Sequence, residues 1–411
     1  MKQTCMIHNS CMENPFQFGR ELGSDELVDR VEEMAEVMGA VRQGGKLFLV
    51  GPRRFGKTSI LKAAEDRLIQ DRAVVLRYDA EGYPSLDLLA SAIISGVAKN
   101  LKGGIERVGE QVKMFFSRLR PELNFNVTDR EWSVRLGVQE VGDIGSHVKH
   151  LQLLLEALNG LEKLAKAQPA SQPVGLIIDE FQKVIELGGQ TAESQIRAAV
   201  QQHKRTGYVF AGSKTHLLTA MTMDAARPFY RLGKVLFLTS VPRADFLAFL
   251  RKQFEQSGFH LAQKENDESL RMILDLAEDV PYNVQMLAHA CWDSLRSGNN
   301  AKERTLHPAI VEQSLDRIVR QYDPFYTQLW NGLTSIQQTV LLAVVAESGM
   351  NLQSMKVVNM VGKSHATIRR ALDAFIERSI LREEEHLGAV RVRFEDPFFA
   401  QWVLRFTAKN R

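Results

Sequence analysis

The sequence predicts an α/β domain on a parallel sheet, followed by an all-helical segment and a small domain of helices and one hairpin. Three observations carry this reading. Apolar runs of strand length alternate with amphipathic helical stretches from Lys46 to Leu238. From Pro242 to about Arg320 the periodicity is helical throughout. From Phe325 onward, three short helical stretches precede two strands separated by a turn.

Bulk properties set the outer bounds. A chain of 411 residues is too long for one ordinary core, and 45% hydrophobic with 25% charged residues is a globular composition. The net charge of +3 gives no chain-wide attraction to nucleic acid or membrane, so any such contact must be local. Cys5, Cys11 and Cys291 make no disulfide framework, which fits a reducing, cytoplasmic setting. No apolar run approaches the ~18 residues of a membrane span. The first twelve residues lack a signal-peptide core, Met6 and Met12 are alternative starts, and about ten residues there are expected to be poorly ordered.

Taken in order, Asn14-Pro-Phe-Gln-Phe-Gly-Arg-Glu21 is a short, aromatic, turn-like lead-in. A helix is expected next, capped at Ser24/Asp25 and running from Glu26 to Met38 with Leu27, Val31, Met34 and Met38 on one face. Strands follow at Lys46–Val50, Ala73–Asp79, Val174–Asp179, Gly207–Gly212 and Lys234–Leu238, with helices between them. The stretch of about 101–145 breaks that rhythm. Its segments Leu123–Val127 and Trp132–Val138 alternate with period two about Asp129-Arg130, which predicts an inserted β-hairpin. The resulting division is a core over 1–241, a helical lid over 242–322 and a winged-helix domain over 323–411.

The chemistry begins at Gly51-Pro-Arg-Arg-Phe-Gly-Lys-Thr-Ser59, which fits G-x-x-x-x-G-K-[ST] between a strand and a helix. Gly51 and Gly56 let the backbone curl so that N–H groups of Pro52's neighbours, Arg53, Arg54, Phe55 and the helix start point at phosphate oxygens. Lys57 reaches the β- and γ-phosphates, and Thr58 ligates Mg²⁺. The loop, with Ser59 closing it, is therefore read as a nucleotide-phosphate loop, with ATP and Mg²⁺ the expected ligands. Arg53 and Arg54 are either phosphate contacts or a solvated pair.

A second constellation ends the strand Val174–Asp179. Sites in parallel sheets form at the carboxyl ends of strands, which puts Asp179 beside the loop as a metal-side carboxylate and Glu180 where it can polarise water. The strand ending at Gly212 delivers Ser213 and Lys214 to the same edge, Ser213 as a γ-phosphate contact or a water-positioning group. For the lead-in Asn14, Pro15 and Phe16, covering the adenine and simply packing the N-terminal arm are both open.

These words together resemble the archaeal-type P-loop ATPases, a prokaryotic branch of the AAA+ and STAND-like nucleotide switches. The matching residues are Asn14-Pro-Phe16, Asp29-Arg30 with Glu33, the Gly51–Ser59 loop, Ile178-Asp-Glu-Phe-Gln182, Phe210-Ala-Gly-Ser-Lys214, Arg227-Pro-Phe-Tyr-Arg231 and Phe394–Trp402. The resemblance implies an AAA+-type core with strand order 5-1-4-3-2, a helical lid and a C-terminal winged helix. It also implies Ser213 as the sensor on the fourth strand and Arg227 or Arg231 as an arginine finger for a neighbouring subunit. One departure stands out: Asp279-Val-Pro281 occupies the place of a Gly-x-Pro, so Pro281 is kept beside the nucleotide while the glycine is lost.

Two functions compete. One is an ATP-hydrolysing switch acting on double-stranded DNA through Lys363, His365, Thr367, Arg369 and Arg370, with Arg391 and Arg393 on the wing. The other is a signalling or scaffold ATPase whose winged helix packs on its own core or on a protein partner, in a homo-oligomer or mixed assembly. The acidic run Glu383–Glu385 and the near-neutral charge speak for the second.

Overall fold

The computed structural model describes residues 13–100, 121–126, 131–136, 146–262, 267–297, 304–386 and 388–409. The N-terminal segment with Cys5 and Cys11, and the turn at Asp129-Arg130, lie outside them. The chain forms two compact units, one of Glu21–Thr239 and one of Ser240–Arg411 with the described residues up to Arg20.

In the first unit the helix α1 spans Val31–Gln43, later than the sequence predicts. Ser24–Glu26 forms only a short 3-10 turn, and Arg30 then breaks the chain direction with a left-handed φ of 76°. The cause is local. Arg30 is buried and gives its guanidinium to the Thr239 carbonyl at 2.6 Å and to Glu33 at 2.7 Å. The later start rotates the buried face to Val37, Met38 and Val41, while Val31, expected inside, is 66% exposed.

Strands β1 (Lys46–Val50), β2 (Val74–Asp79), β5 (Val174–Asp179), β6 (Thr206–Gly212) and β7 (Lys234–Phe237) form one parallel sheet in the order β2-β5-β6-β1-β7. Numbered along the core, that is the expected 5-1-4-3-2. Helices α2 (Lys57–Gln70), α3 (Leu86–Asn100), α4 (Ser146–Ala167), α5 (Gln182–Gln202) and α6 (Thr215–Met223) connect them. β5 and β6 are buried along their whole length, as near-continuous apolar runs in a covered parallel sheet should be. A cluster of Phe48, Phe181, Phe210 and Phe229 fills one face with ring centroids 4.3–6.2 Å apart. On the other face α1 lies directly on the strands: a Cβ on Gly207 would stand 2.4 Å from the Cα of Val41. β3 (Pro121–Asn126) and β4 (Glu131–Leu136) pair antiparallel, the hairpin the period-two pattern predicts.

In the second unit α7 (Arg243–Gln256), α8 (Glu268–Leu276), α9 (Pro281–Arg296) and α10 (Pro308–Gln321) form the helical segment, with a two-residue parallel pair of β8 (His260–Leu261) and β9 (Thr305–Leu306). The lead-in belongs here. Phe16 is fully buried against Phe249 and Phe254 of α7, and Asn14 donates to the His289 carbonyl of α9 at 3.1 Å.

After α11 (Asp323–Asn331) come α12 (Ser335–Ala346), α13 (Met355–Val361), α14 (His365–Glu377), the hairpin of β10 (Leu381–His386) and β11 (Ala389–Phe394), and α15 (Pro397–Lys409). Helix, helix, helix and wing is the expected winged-helix arrangement. Ser364 caps α14 by accepting from the Thr367 N–H, as its sequence position predicts. Tyr326, Phe399 and Trp402 stack α15 onto α11.

Candidate functional site

The candidate site lies at the carboxyl edge of β1, β5 and β6. β1 ends at Val50, and the chain turns at Gly51 beside Leu238, where a Cβ would sit 2.7 Å from the Leu238 Cβ. Left-handed φ values of 67° at Arg54 and 87° at Gly56 then curl the loop back toward α2. Gly56 bears no Cβ and takes this at no steric cost; Arg54 does not have that freedom. Arg53 and Arg54 are exposed, and Arg53 lies 3.6 Å from the exposed Glu81. Phe55 is buried and anchors the loop.

Lys57, the first residue of α2, is 5% exposed and donates to the carbonyls of Gly51 and Pro52, each at 2.9 Å. Its ammonium is thus held inside the loop at a helix N-terminus, where phosphate oxygens are electrostatically favoured. Thr58 donates its hydroxyl to Oδ2 of Asp179 at 2.8 Å. Ser59, which the sequence places among the nucleotide contacts, accepts from the Leu22 N–H at 3.1 Å and so fixes the segment before α1.

The two carboxylates behave differently. Asp179, 2% exposed, accepts from the Glu180 N–H through Oδ1. Burial raises its carboxyl above the ordinary range; the Thr58 hydrogen bond and Lys57 oppose that rise, and the Glu180 charge adds to it. Glu180 stands at a left-handed φ of 48°, a strained turn at a strand end. Burial works to raise its carboxyl too, but hydrogen bonds from Gln182 and Ser213 and the charge of Lys57 outweigh it and hold it below the usual range. Ser213 donates to Oε2 of Glu180 through both its N–H (3.1 Å) and its hydroxyl (2.8 Å). Gln182 donates to the same oxygen. Sequence reasoning gave Gln182 no role, although it ends the motif Ile178–Gln182.

The basic residues nearby are engaged in different ways. Lys214 pairs with Glu186 at 2.6 Å. Arg227 forms a two-pronged pair with Glu193, which is 1% exposed, at 2.6 and 3.1 Å. Arg231 is exposed, at a left-handed φ of 54°, with its guanidinium 5.0 Å from the Tyr230 ring centre. Arg197 of α5 holds this segment by donating to the Pro228 and Tyr230 carbonyls.

Asn14, Pro15, Phe16 and Pro281 belong to the other unit. Pro281 is the first residue of α9. Ahead of it, Asp279 adopts the left-handed φ of 57° that a glycine would take freely, and Arg243 holds its carboxylate at 2.9 Å. The lost glycine therefore leaves the left-handed turn in place.

The donor set fits a Mg²⁺-nucleotide. Among the described residues no group of three or more His, Cys, Asp or Glu side chains could hold a metal alone. One hydroxyl and one carboxylate beside a phosphate loop is the set that Mg²⁺ completes with phosphate oxygens and water.

No protein-family model matches the chain, and no curated protein does so by sequence. Solved structures do. The Walker-type ATPase PABY2304 of Pyrococcus abyssi is 15% identical, with 95% of this chain and 99% of that one covered at a TM-score of 0.60. The fold is that of an AAA+-type P-loop NTPase. Two further solved structures overlap more weakly: the Aeropyrum pernix ORC2 protein (12% identity, 96% and 98% covered, TM-score 0.49) and the Thermotoga maritima RuvB Holliday junction branch migration motor (12%, 90% and 94%, 0.43). Among the described residues, no helix is long and apolar enough to cross a membrane.

Proposed function

We propose that the chain binds ATP with Mg²⁺ at Gly51–Ser59 and hydrolyses it, cycling as a molecular switch with a core over Glu21–Thr239, a lid in the other unit and a winged helix over 323–411. One observation carries this: Lys57, Thr58, Asp179, Glu180 and Ser213 converge on one sheet edge, Lys57 bonded to the loop carbonyls of Gly51 and Pro52 and the other four linked in turn by hydrogen bonds. Bound Mg²⁺ would neutralise charge building on the β- and γ-phosphates. Lys57 contacts those phosphates, Thr58 and Asp179 hold the metal side, and Glu180 accepts a proton from the attacking water. Ser213 holds Glu180 and senses the γ-phosphate. Arg231, exposed ahead of the edge strand β7, serves a neighbouring copy as the arginine finger, whereas the Glu193 pair gives Arg227 a structural task.

The test is a comparison of two variants. Lys57→Ala should weaken ATP binding, while Glu180→Gln should keep ATP bound and lose at least about a hundredfold in turnover. Wild-type turnover in Glu180→Gln would remove the assignment.

For the winged helix, a specific contact favours packing on its own lid over a purely DNA-reading role. Arg393 of the wing meets Glu278 of the lid at 2.9 Å, and Asp396 accepts from Asn283 of α9 at 3.2 Å. DNA, if bound, is left to α14.

A further inference from the structure

We infer that Gln182 is a positioning residue for Glu180: it holds one carboxylate oxygen so that the other is the one presented to water. This deepens the hydrolytic reading and rests on Glu180 being the proton acceptor.

The geometry is specific. Gln182 is 2% exposed and opens α5, two residues past Glu180. Its Nε2 and the N–H and hydroxyl of Ser213 all donate to Oε2 of Glu180. Oε1 of Glu180 stands outside this set. An oxygen already accepting three hydrogen bonds is a poor acceptor for a fourth proton, so the incoming proton goes to Oε1.

The far end of the amide shows that the position is not chosen for stability. Oε1 of Gln182 is buried without a hydrogen-bond partner. It is pressed onto Gly212, where a Cβ would come within 2.1 Å of it. Turning the amide over would not help. It would aim Oε1 at the Glu180 carboxylate and leave Nε2 unpaired against Gly212. Only one orientation makes a bond, and it leaves a buried oxygen unsatisfied, as polar groups kept for function do. An apolar side chain of equal length would fill the space with no orphan atom.

That difference supplies the test, because the two roles predict opposite signs. Gln182→Met should fold with unchanged or higher melting temperature and bind an ATP analogue within about twofold of wild type. Its kcat should fall about 10–100-fold with KM nearly unchanged, the signature of a misplaced reacting group. Gln182→Asn keeps the amide but withdraws it by one methylene, relieves the contact with Gly212, and should show the same loss in kcat. Glu180→Gln is measured alongside. If it has lost turnover while both Gln182 variants keep wild-type kcat, the inference is overturned and the base assignment stands. If Glu180→Gln stays active, the base assignment itself falls. A Gln182→Met protein that loses melting temperature and nucleotide affinity in step with kcat would show a structural role and also overturn the inference.

Discussion

The Thr58 hydroxyl donates to Oδ2 of Asp179 at 2.8 Å, tying the first turn of α2 to the last residue of β5. In the proposed mechanism this bond preassembles the metal side of the site. Thr58→Ala should therefore reduce ATP affinity in Mg²⁺ by about 10–100-fold, the range found when a ligand's partner is removed. Affinity in EDTA should change little. Calorimetric titration with and without Mg²⁺ reads the difference, and equal losses in both would count against the metal-side role.

Arg227 and Arg231 should separate by phenotype. Arg227→Ala strands a Glu193 carboxylate that is 1% exposed, but the arginine itself is 30% exposed. Solvent screening trims the usual 3–5 kcal/mol of a broken buried pair to about 2 kcal/mol. Adding Glu193→Gln should recover much of it in urea denaturation. Arg231→Ala should leave stability alone and lower turnover about 10³-fold, in a wild-type background whose specific activity rises with protein concentration. A concentration-independent rate that survives Arg231→Ala would end the finger proposal.

Acid should destabilise the first unit through His203. Its ring is bonded on both sides, to the Tyr208 hydroxyl at 2.6 Å and to Asn159 at 3.1 Å, and only 4% exposed. Burial lowers its pKa from 6.5 to about 4; Glu162 opposes this, while Lys46 and Lys166 add to it. The unfolded chain therefore binds the proton first as pH falls. The stability from a neutral His203 is fully present above about pH 6.5 and is lost progressively down to about pH 4, by roughly 2–3 kcal/mol. His203→Gln should flatten the pH dependence of the urea midpoint across that window. An unchanged slope would show that other groups carry it.

Much of this architecture was legible in the sequence, for physical reasons that also explain the misses. The strands β5 and β6 are continuous apolar runs bounded by glycine and polar residues, and the loop from Gly51 to Thr58 has a spacing its chemistry imposes. The wing was legible because Ser364 caps α14 and the strands β10 and β11 flank a glycine turn. The start of α1 was not, because a long-range bond from Arg30 to Thr239, 209 residues away, overrides a good local cap. Arg227 and Arg231 looked equivalent in one short motif; only the fold brings Glu193 to one of them. Gln182 was unreadable for the same reason, since its role depends on Gly212 and Ser213 arriving from another strand.

The lead-in should stabilise the second unit. Phe16 buries its ring fully between Phe249 and Phe254, and its carbonyl meets His289 Nδ1 at 2.7 Å. Phe16→Ala should cost about 3–5 kcal/mol, as large-to-small changes at buried aromatics do. A thermal melt of the full chain should show one transition lowered. A variant melting as wild type would mean that the arm is dispensable to this packing.

The basic residues of the winged helix should not contribute equally to any DNA binding. Arg393 is 19% exposed and bonded to both Glu278 and Glu384, and Arg391 donates to the Ser348 carbonyl at 2.9 Å. On α14, Arg369 pairs with Asp373 at 2.9 Å, although it stays 60% exposed, and Arg370, like Lys363 and His365, is exposed. A phosphate contact releases about one counterion, so each such arginine sets about one unit of the logarithmic salt slope. If α14 meets duplex DNA, Arg370→Ala should flatten that slope by about one unit and adding Arg369→Ala by up to one more. Arg393→Ala should leave the slope alone. It frees Glu278 from its 2.9 Å partner and should instead lower the melting temperature and change the basal ATPase rate. Fluorescence anisotropy with a random-sequence duplex across a salt series, beside ATPase assays of the same variants, separates the outcomes. A slope that responds to Arg393 and not to Arg370 would mean that the wing leaves the lid to bind DNA, and the lid-docked reading would be lost.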